Sequence, residues 1–446
     1  MQRISIENFG PVKKFEADVT DIMLLIGPQA SGKSTISKSI FIFKSLKDEI
    51  LNYIYVYVNV NALENFSLSL NNTINDMGRK FFTYFGIEAD RKGFTLKYQY
   101  SNEKYITISG SSIYNQKIKI SSTLEQELNL LGTEILNYRI ISKEQRKKSK
   151  SLEELRELES EKRLQFNHFK SIVYNIFEET HSTVFIPAGR NLMSTLAEQL
   201  QHINNPDTLD YFRKSLDTLD YFTKSFIERI DLLRYNFAVD LNNLIEIEDI
   251  ASDIGIDLSK LLKKILKGEY RFNFDGEQER IYFNNNQYVK LQYASSGQQE
   301  SVWILLLIFR YILDGTSVFM VFEEPEAHLY PETQSDIVEL IGLFTNFYHN
   351  QIIITTHSPY ILSSFNNLLY AYQVGKDKVG NEREAVESIV NSKSWIDPDR
   401  ISAYFISENG CESIIDEELK LIKAEKIDSA SSIINNKFND LFNLDD

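Results

Sequence analysis

Residues 27–34 read Gly-Pro-Gln-Ala-Ser-Gly-Lys-Ser. Gly27, four free positions, then Gly32, Lys33 and Ser34 is the spacing of a loop that wraps phosphate. Its glycines let backbone amides turn inward onto phosphate oxygens. A helix starting directly after it adds unpaired amides and the positive end of a dipole. Lys33 is placed to reach the β- and γ-phosphates of a nucleotide and Ser34 to ligate Mg2+. Pro28, Gln29, Ala30, Ser31 and Thr35 complete the nucleotide-binding stretch. The flanks agree, because Ile22–Ile26 is a short apolar run of strand type and 35–45 has helical character. An ordinary glycine turn explains this string poorly.

Three more pieces with chemical potential follow far downstream. Tyr293-Ala294-Ser295-Ser296-Gly297-Gln298-Gln299-Glu300 opens a helix. Hydroxyls and bare amides at a helix start suit a second phosphate-binding surface, although a serine-capped helix explains the string equally well. Ser317–Phe322 is a β-prone apolar run ending in Glu323-Glu324-Pro325-Glu326. Carboxylates at the C-terminal end of a parallel strand sit where Mg2+ and an attacking water are handled. A further run, 351–356, ends at His357-Ser358-Pro359; a lone histidine after a strand is more often structural than functional.

Taken in order, these pieces resemble the ATP-binding-cassette superfamily, in the SMC/RecF/OLD-like branch of AAA-labelled ATPases. The resemblance implies an α/β fold of the ABC-type P-loop ATPase kind, a mixed sheet flanked by helices, with ATP and Mg2+ as ligands. Gly27–Ser34 then corresponds to the Walker A loop, and Ser295, Ser296, Gly297 and Gln298 to the signature that contacts nucleotide in trans. Glu323 matches the acid that organises Mg2+, Glu324 the catalytic carboxylate, 327–330 the D-loop, and His357 the switch histidine that senses the γ-phosphate. Glu323 departs from the aspartate many cassette ATPases carry, and no residue can be matched to the Q-loop glutamine. The opening ISIENFGPVKKFEADVTDIMLLIG also looks like this branch. The likeness covers about 1–45 and 285–370. It implies that one subunit's signature completes another's ATP site, so the active form is a homodimer or higher homo-oligomer.

The elements that must position these residues are spread over a long chain. At 446 residues it exceeds the size at which one core usually stops growing, so two lobes are expected. Apolar residues at 43%, with 12% aromatics, support packed cores and argue against global disorder. A net charge of −15 disfavours a general nucleic-acid coat, although a local basic patch could still bind a phosphate backbone. With Cys411 as the single cysteine, neither an intramolecular disulfide nor a cysteine zinc cluster can form. The start lacks a secretory pattern, and the longest apolar run, 302–313, is too short to span a bilayer. A cytoplasmic protein without membrane contact is expected.

The organisation expected along the chain is an ATPase lobe at 1–120 with the Walker A loop and a β-hairpin, an inserted helical hairpin at 121–180, a mostly helical link at 181–284, and a second lobe at 285–446. The hairpin strands fall at 93–100 and 105–109, and the helical arms at 124–141 and 152–177, separated by a basic tip at 142–150. Val184–Ile186 is a strand with a Gly189-Arg190 exit, where Arg190 is either a link between nucleotide and insertion or a structural ion pair. Residues 207–216 and 217–226 are near-repeats, 375–383 has loop character, 401–406 is a strand, and 411–442 is a helix. The Toprim nuclease domain of full OLD-type nucleases is not expected. The expected role is a dimerising ATPase acting as sensor or scaffold for a separate effector, a nuclease in anti-phage defence. The alternatives are a RecF- or Rad50-like DNA-maintenance ATPase binding nucleic acid directly and, last, a transporter motor.

Overall fold

The computed structural model describes residues 2–59, 70–86, 89–112, 115–148, 151–190, 219–247, 252–274, 278–284, 287–423 and 435–442. The near-repeat at 207–216 lies outside them. The fold is mixed α/β, with sheets flanked by helices, as the motif resemblance implied. It divides into two compact units, one of Met1–Val19, Ser34–Thr183 and Glu408–Gly410, the other of Thr20–Lys33, Val184–Ser407 and Cys411–Asp446.

The first unit is built on an antiparallel sheet of order β2-β1-β4-β5-β6, with β1 Arg3–Phe9, β2 Val12–Asp18, β4 Ala89–Gln99, β5 Tyr105–Ser112 and β6 Asn115–Ile120. The β4–β5 hairpin was legible from its alternation; β6 was not expected. One face is apolar, with Ile4, Ile6, Leu96, Tyr98 and Ile106 buried. Helix α1 (Lys33–Asn59) packs aromatics here, the Phe43 ring stacking on Tyr98 at 5.3 Å between centroids. Helix α2 (Leu70–Phe85) contributes Phe81, whose ring lies 5.4 Å from Phe9.

Helices α3 (Ser122–Lys148) and α4 (Leu152–Phe177) pack against each other. At ~1.5 Å per residue each arm is about 40 Å long. The basic stretch expected as a loose tip is helical as far as Lys148, because Lys, Glu, Gln and Arg are good helix formers. The return arm is fixed by a capping box between Ser151 and Glu154. Beyond α4, a buried charge cluster joins helix to strand. Lys44 pairs with Glu179, whose other oxygen accepts from His181 at 2.6 Å, while Thr183 donates to Asp48 at 2.7 Å.

The second unit holds a six-stranded sheet of order β14-β13-β3-β12-β11-β7. Its strands are β3 Ile22–Ile26, β7 Ser182–Ile186, β11 Val318–Glu323, β12 Gln351–Thr356, β13 Ile401–Ser407 and β14 Gly410–Ser413. Strand β3 runs parallel to both β12 and β13, and β12 parallel to β11. All residues of β3 and β11 are buried, as central parallel strands covered on both faces must be. A smaller sheet of β8 (Glu269–Asn273), β9 (Gln278–Asn284) and β10 (Gln287–Lys290) precedes the signature segment.

Among the helices here are α5 (Tyr221–Leu233), α6 (Leu241–Ile247), α7 (Ser252–Leu266), α8 (Ser296–Asp314), α9 (Pro331–Asn346), α10 (Pro359–Gly375) and α11 (Asn381–Glu387). Two expectations need correction. Residues 375–383 are not all loop, since α11 begins at Asn381 after Gly380. Cys411 does not start a helix. Glu408-Asn409 turns the chain, Gly410 opens β14 at φ 138°, and Cys411 follows it in that strand; within the expected helix only 435–442 is described as helical.

Candidate active site

The parallel register decides which residues meet. Leu25, Thr355 and Glu323 are aligned across β3, β12 and β11. The carboxyl ends of the three strands therefore coincide, and each is followed at once by chemistry-bearing residues. Gly27 follows β3, Glu323 closes β11 with Glu324 next, and His357 follows β12.

Gly27 has φ 152°, and a Cβ there would come within 2.0 Å of the Ile406 carbonyl oxygen on β13, so no other residue fits. Ala30 takes the left-handed region at φ 58°. Pro28, Gln29 and Ala30 are exposed, whereas Ser31, Gly32 and Lys33 are buried. Ser34, exposed, and Thr35, half-buried, occupy the first turn of α1 directly after Lys33. The Lys33 ammonium donates to the carbonyls of Gly27 at 2.9 Å and Pro28 at 2.8 Å, and lies 3.5 Å from His357 Nδ1. Burial lowers its pKa to about 8, with the charges of Glu324 and Glu326 opposing the drop.

Glu323 and Glu324 are neighbours in different environments. Glu323 is 6% exposed; its Oε2 lies 3.4 Å from the Ala188 amide, and its Oε1 is buried without a hydrogen-bond partner. Such an oxygen is unfavourable unless it meets a cation, and a hard oxygen donor suits Mg2+. The Ser31 hydroxyl is likewise buried and unpartnered, a donor suited to an anionic oxygen. These residues fit a magnesium–triphosphate ligand. Glu324 turns the chain at φ 47°, its amide donating to the Thr355 carbonyl at 2.9 Å. Its half-exposed carboxylate lies 3.2 Å from His357 Nε2. Lys33, His357 and Glu324 thus form one continuous chain of contacts.

Glu326, given no role by sequence reading, accepts from the Thr356 hydroxyl at 2.5 Å and the His357 amide at 2.9 Å. It fixes the end of β12 and the entry to the histidine. Its position in the Glu323-Glu324-Pro325-Glu326 string was the available signal.

The signature segment is shaped by its own side chains. Ser295 caps α8 in a capping box with Gln298. Gln298 also donates to the Leu266 carbonyl at 2.8 Å, and Gln299 donates to the carbonyls of Leu291, Gln292 and Ala294. Of the two expectations for this string, the serine-capped helix is the one seen. Gln298 is used internally, Ser295 caps the helix, and Ser295 and Ser296 remain exposed. Gly297 packs where a Cβ would sit 2.8 Å from the carbonyl oxygen of His328, in the segment expected as D-loop. His328 is exposed at φ 60°.

Arg190 is wholly buried. It spans the ends of β7 and β11 and the start of α8 through bonds to Pro187, Glu300, Glu323 and Glu324. Burial pulls its guanidinium below the ordinary value, against the charges of Glu300, Glu326, Glu323 and Glu324. Glu300 was missed in the sequence, although a carboxylate among the apolar residues of α8 signals a buried partner.

No helix among the described residues is long and apolar enough to cross a membrane. No curated protein matches the chain. Among solved structures it is similar to an SMC head bound to the C-winged helix domain of ScpA, at 10% identity over 92% of this chain and 96% of that one, with a TM-score of 0.38. An SMC head domain from Thermotoga maritima is similar at 12% identity over 81% and 90%, with a TM-score of 0.32. An Smc head domain with an extended coiled coil, bound to the C-terminal domain of ScpA derived from Pyrococcus furiosus, is similar at 11% identity over 98% and 100%, with a TM-score of 0.35. A family model described as an AAA ATPase domain matches residues 1–362, and the chain therefore belongs to the AAA ATPase domain family.

Proposed function

We propose that this chain binds and hydrolyses Mg2+-ATP in a site completed by the signature segment of a second copy. The observation carrying this reading is the shared register that ends β3, β11 and β12 together, with Lys33, Glu324 and His357 in contact and Glu323 presenting an unpartnered oxygen. Gly27–Thr35 cradles the nucleotide. Lys33 leaves the carbonyls of its own loop for the β- and γ-phosphates, exchanging weaker partners for stronger anionic ones. Ser34 and Glu323 would hold Mg2+, which would neutralise charge on the phosphate oxygens. Glu324 orients the attacking water and accepts its proton, and His357 reports the γ-phosphate through its bond to Glu324.

Ser295, Ser296 and Gly297 of the second copy supply donors from an exposed helix start. Because phosphoryl transfer depends on positioning and charge stabilisation, closure of two copies is the step that completes the site. Nucleotide state then sets dimer geometry, which is a switch. The switch acts on a separate effector protein, with a nuclease in anti-phage defence as the class that the motif resemblance suggests. The net charge of −15 supports a protein target over a nucleic-acid one.

The test is Mg2+-dependent ATP turnover by the wild-type protein against Glu324→Gln. Turnover that vanishes while ATP binding persists supports the reading; turnover at the wild-type rate refutes the assignment of Glu324. Salt-sensitive DNA binding by the purified protein would instead support direct action on nucleic acid.

A further inference from the structure

The guanidinium of Arg190 makes four hydrogen bonds to backbone oxygens. Nη1 donates to the carbonyls of Pro187 at 2.8 Å and Glu323 at 2.7 Å, Nη2 to the carbonyl of Glu324 at 3.0 Å, and Nε to the carbonyl of Glu300 at 3.0 Å. Its own amide donates to Glu300 Oε2 at 2.9 Å, and Nε lies 3.3 Å from that oxygen. Neither partner is free to drift, since Arg190 and Glu300 are each 1% exposed. Glu324 meanwhile adopts φ 47°, a left-handed conformation that an L-residue with a side chain holds only when its surroundings fix it. Three bonds do so, its amide to Thr355 O and its carbonyl from the Ala327 amide, 3.1 Å away, and from Arg190, the one side chain among them.

We propose that Arg190 is a positioning residue: it locks the left-handed backbone of Glu324, so aiming its carboxylate, and ties that aim to the first turn of α8 through Glu300. The inference rests on the reading of Glu324 as the group that activates water. Its consequence is a rigid path inside one chain from the signature helix to the acting carboxylate. A displacement of α8 when a second copy closes moves Glu300, and with it the arginine that holds Glu324. A planar fork is required, since a lysine ammonium in the same place is a point donor that cannot span oxygens of three different segments.

The test measures steady-state ATP turnover for Arg190→Lys, Glu300→Gln and Glu324→Gln in the full chain, with folding checked by circular dichroism. Arg190→Lys keeps a cation beside Glu300 but loses the fork; kcat is expected to fall about 100-fold with KM within threefold, the mark of a misplaced group in an intact binding site. Glu300→Gln retains an oxygen to accept from the Arg190 amide and loses the charge anchoring the guanidinium; kcat is expected to fall about tenfold, again at constant KM. Either folded variant with kcat within twofold of wild type, or with KM rising while kcat holds, overturns the positioning role. Should Arg190→Lys not fold, the Glu300→Gln split decides. Glu324→Gln separates the two ideas. If it turns over at the wild-type rate, the reading of Glu324 fails; if it is inactive while Arg190→Lys is fully active, only the positioning inference fails.

Discussion

ATP affinity should fall as pH rises through 8. Lys33 is buried, and its pKa stands at about 8 instead of 10.5. A bound triphosphate surrounds it with anionic oxygens and returns it toward the ordinary value. The free protein therefore has the lower pKa, so binding takes up a proton above pH 8; full affinity holds below that pH and is lost above it. With a gap of about 2.5 pH units, affinity weakens about tenfold between pH 7 and 9 and about 150-fold by pH 10.5, equivalent to about 3 kcal/mol. The phosphate's own last proton leaves near pH ~6 and does not interfere. Titration with a fluorescent ATP analogue from pH 7.5 to 9.5 reads the slope. Calorimetry at pH 9 in two buffers of different ionisation enthalpy reads the proton, expected to be close to one per site. Lys33→Arg keeps its charge throughout, so its affinity should be flat with pH. A flat wild-type profile, or the same slope in Lys33→Arg, refutes the reasoning.

Other consequences are as direct. Gly27→Ala places a Cβ against the Ile406 carbonyl and should abolish nucleotide binding, read by the same titration, with the fold retained by circular dichroism. Ser296→Arg fills an exposed helix start; ATP binding to one copy should persist while turnover falls at least about tenfold, and unchanged turnover would count against a site shared between copies. Lys44→Met leaves the buried Glu179 carboxylate without its lysine, with only His181 beside it, and should lower stability by about 3 kcal/mol in urea denaturation at pH 7. Burial favours a neutral Glu179, but Lys44 and His181 together outweigh it and hold the carboxyl far below the usual range. The stabilisation is thus present above the unfolded carboxylate pKa and lost as pH falls below it, so the deficit of Lys44→Met should shrink in acid.

Local signals made much of this fold and site readable. The strand–loop–helix around 22–45 was plain from an apolar run, a fixed glycine–lysine spacing and helical periodicity; β3 and the start of α1 sit where those signals fall. The runs ending at Glu323 and His357 were legible for the same reason, since buried parallel strands are continuously apolar. What the sequence hid was tertiary. Arg190, Glu300 and Glu326 act on backbone groups of segments far from them in sequence, and no spacing rule announces such bonds. The error at Cys411 was of another kind. A helix was expected from 411 onward, but the Glu408-Asn409 turn before it folds the chain back as β14. Gln298 shows why a motif is not yet a role, because its side chain holds the segment that carries it.

The central claim, that ATP draws two copies together around a shared site, is tested most directly by the mass of the Glu324→Gln protein in solution with and without ATP and Mg2+, measured by light scattering. The account predicts a nucleotide-driven shift from one copy to two, or tightening of a standing oligomer, that is lost on adding Ser296→Arg. An unchanged mass and hydrodynamic size with ATP demonstrably bound would contradict it.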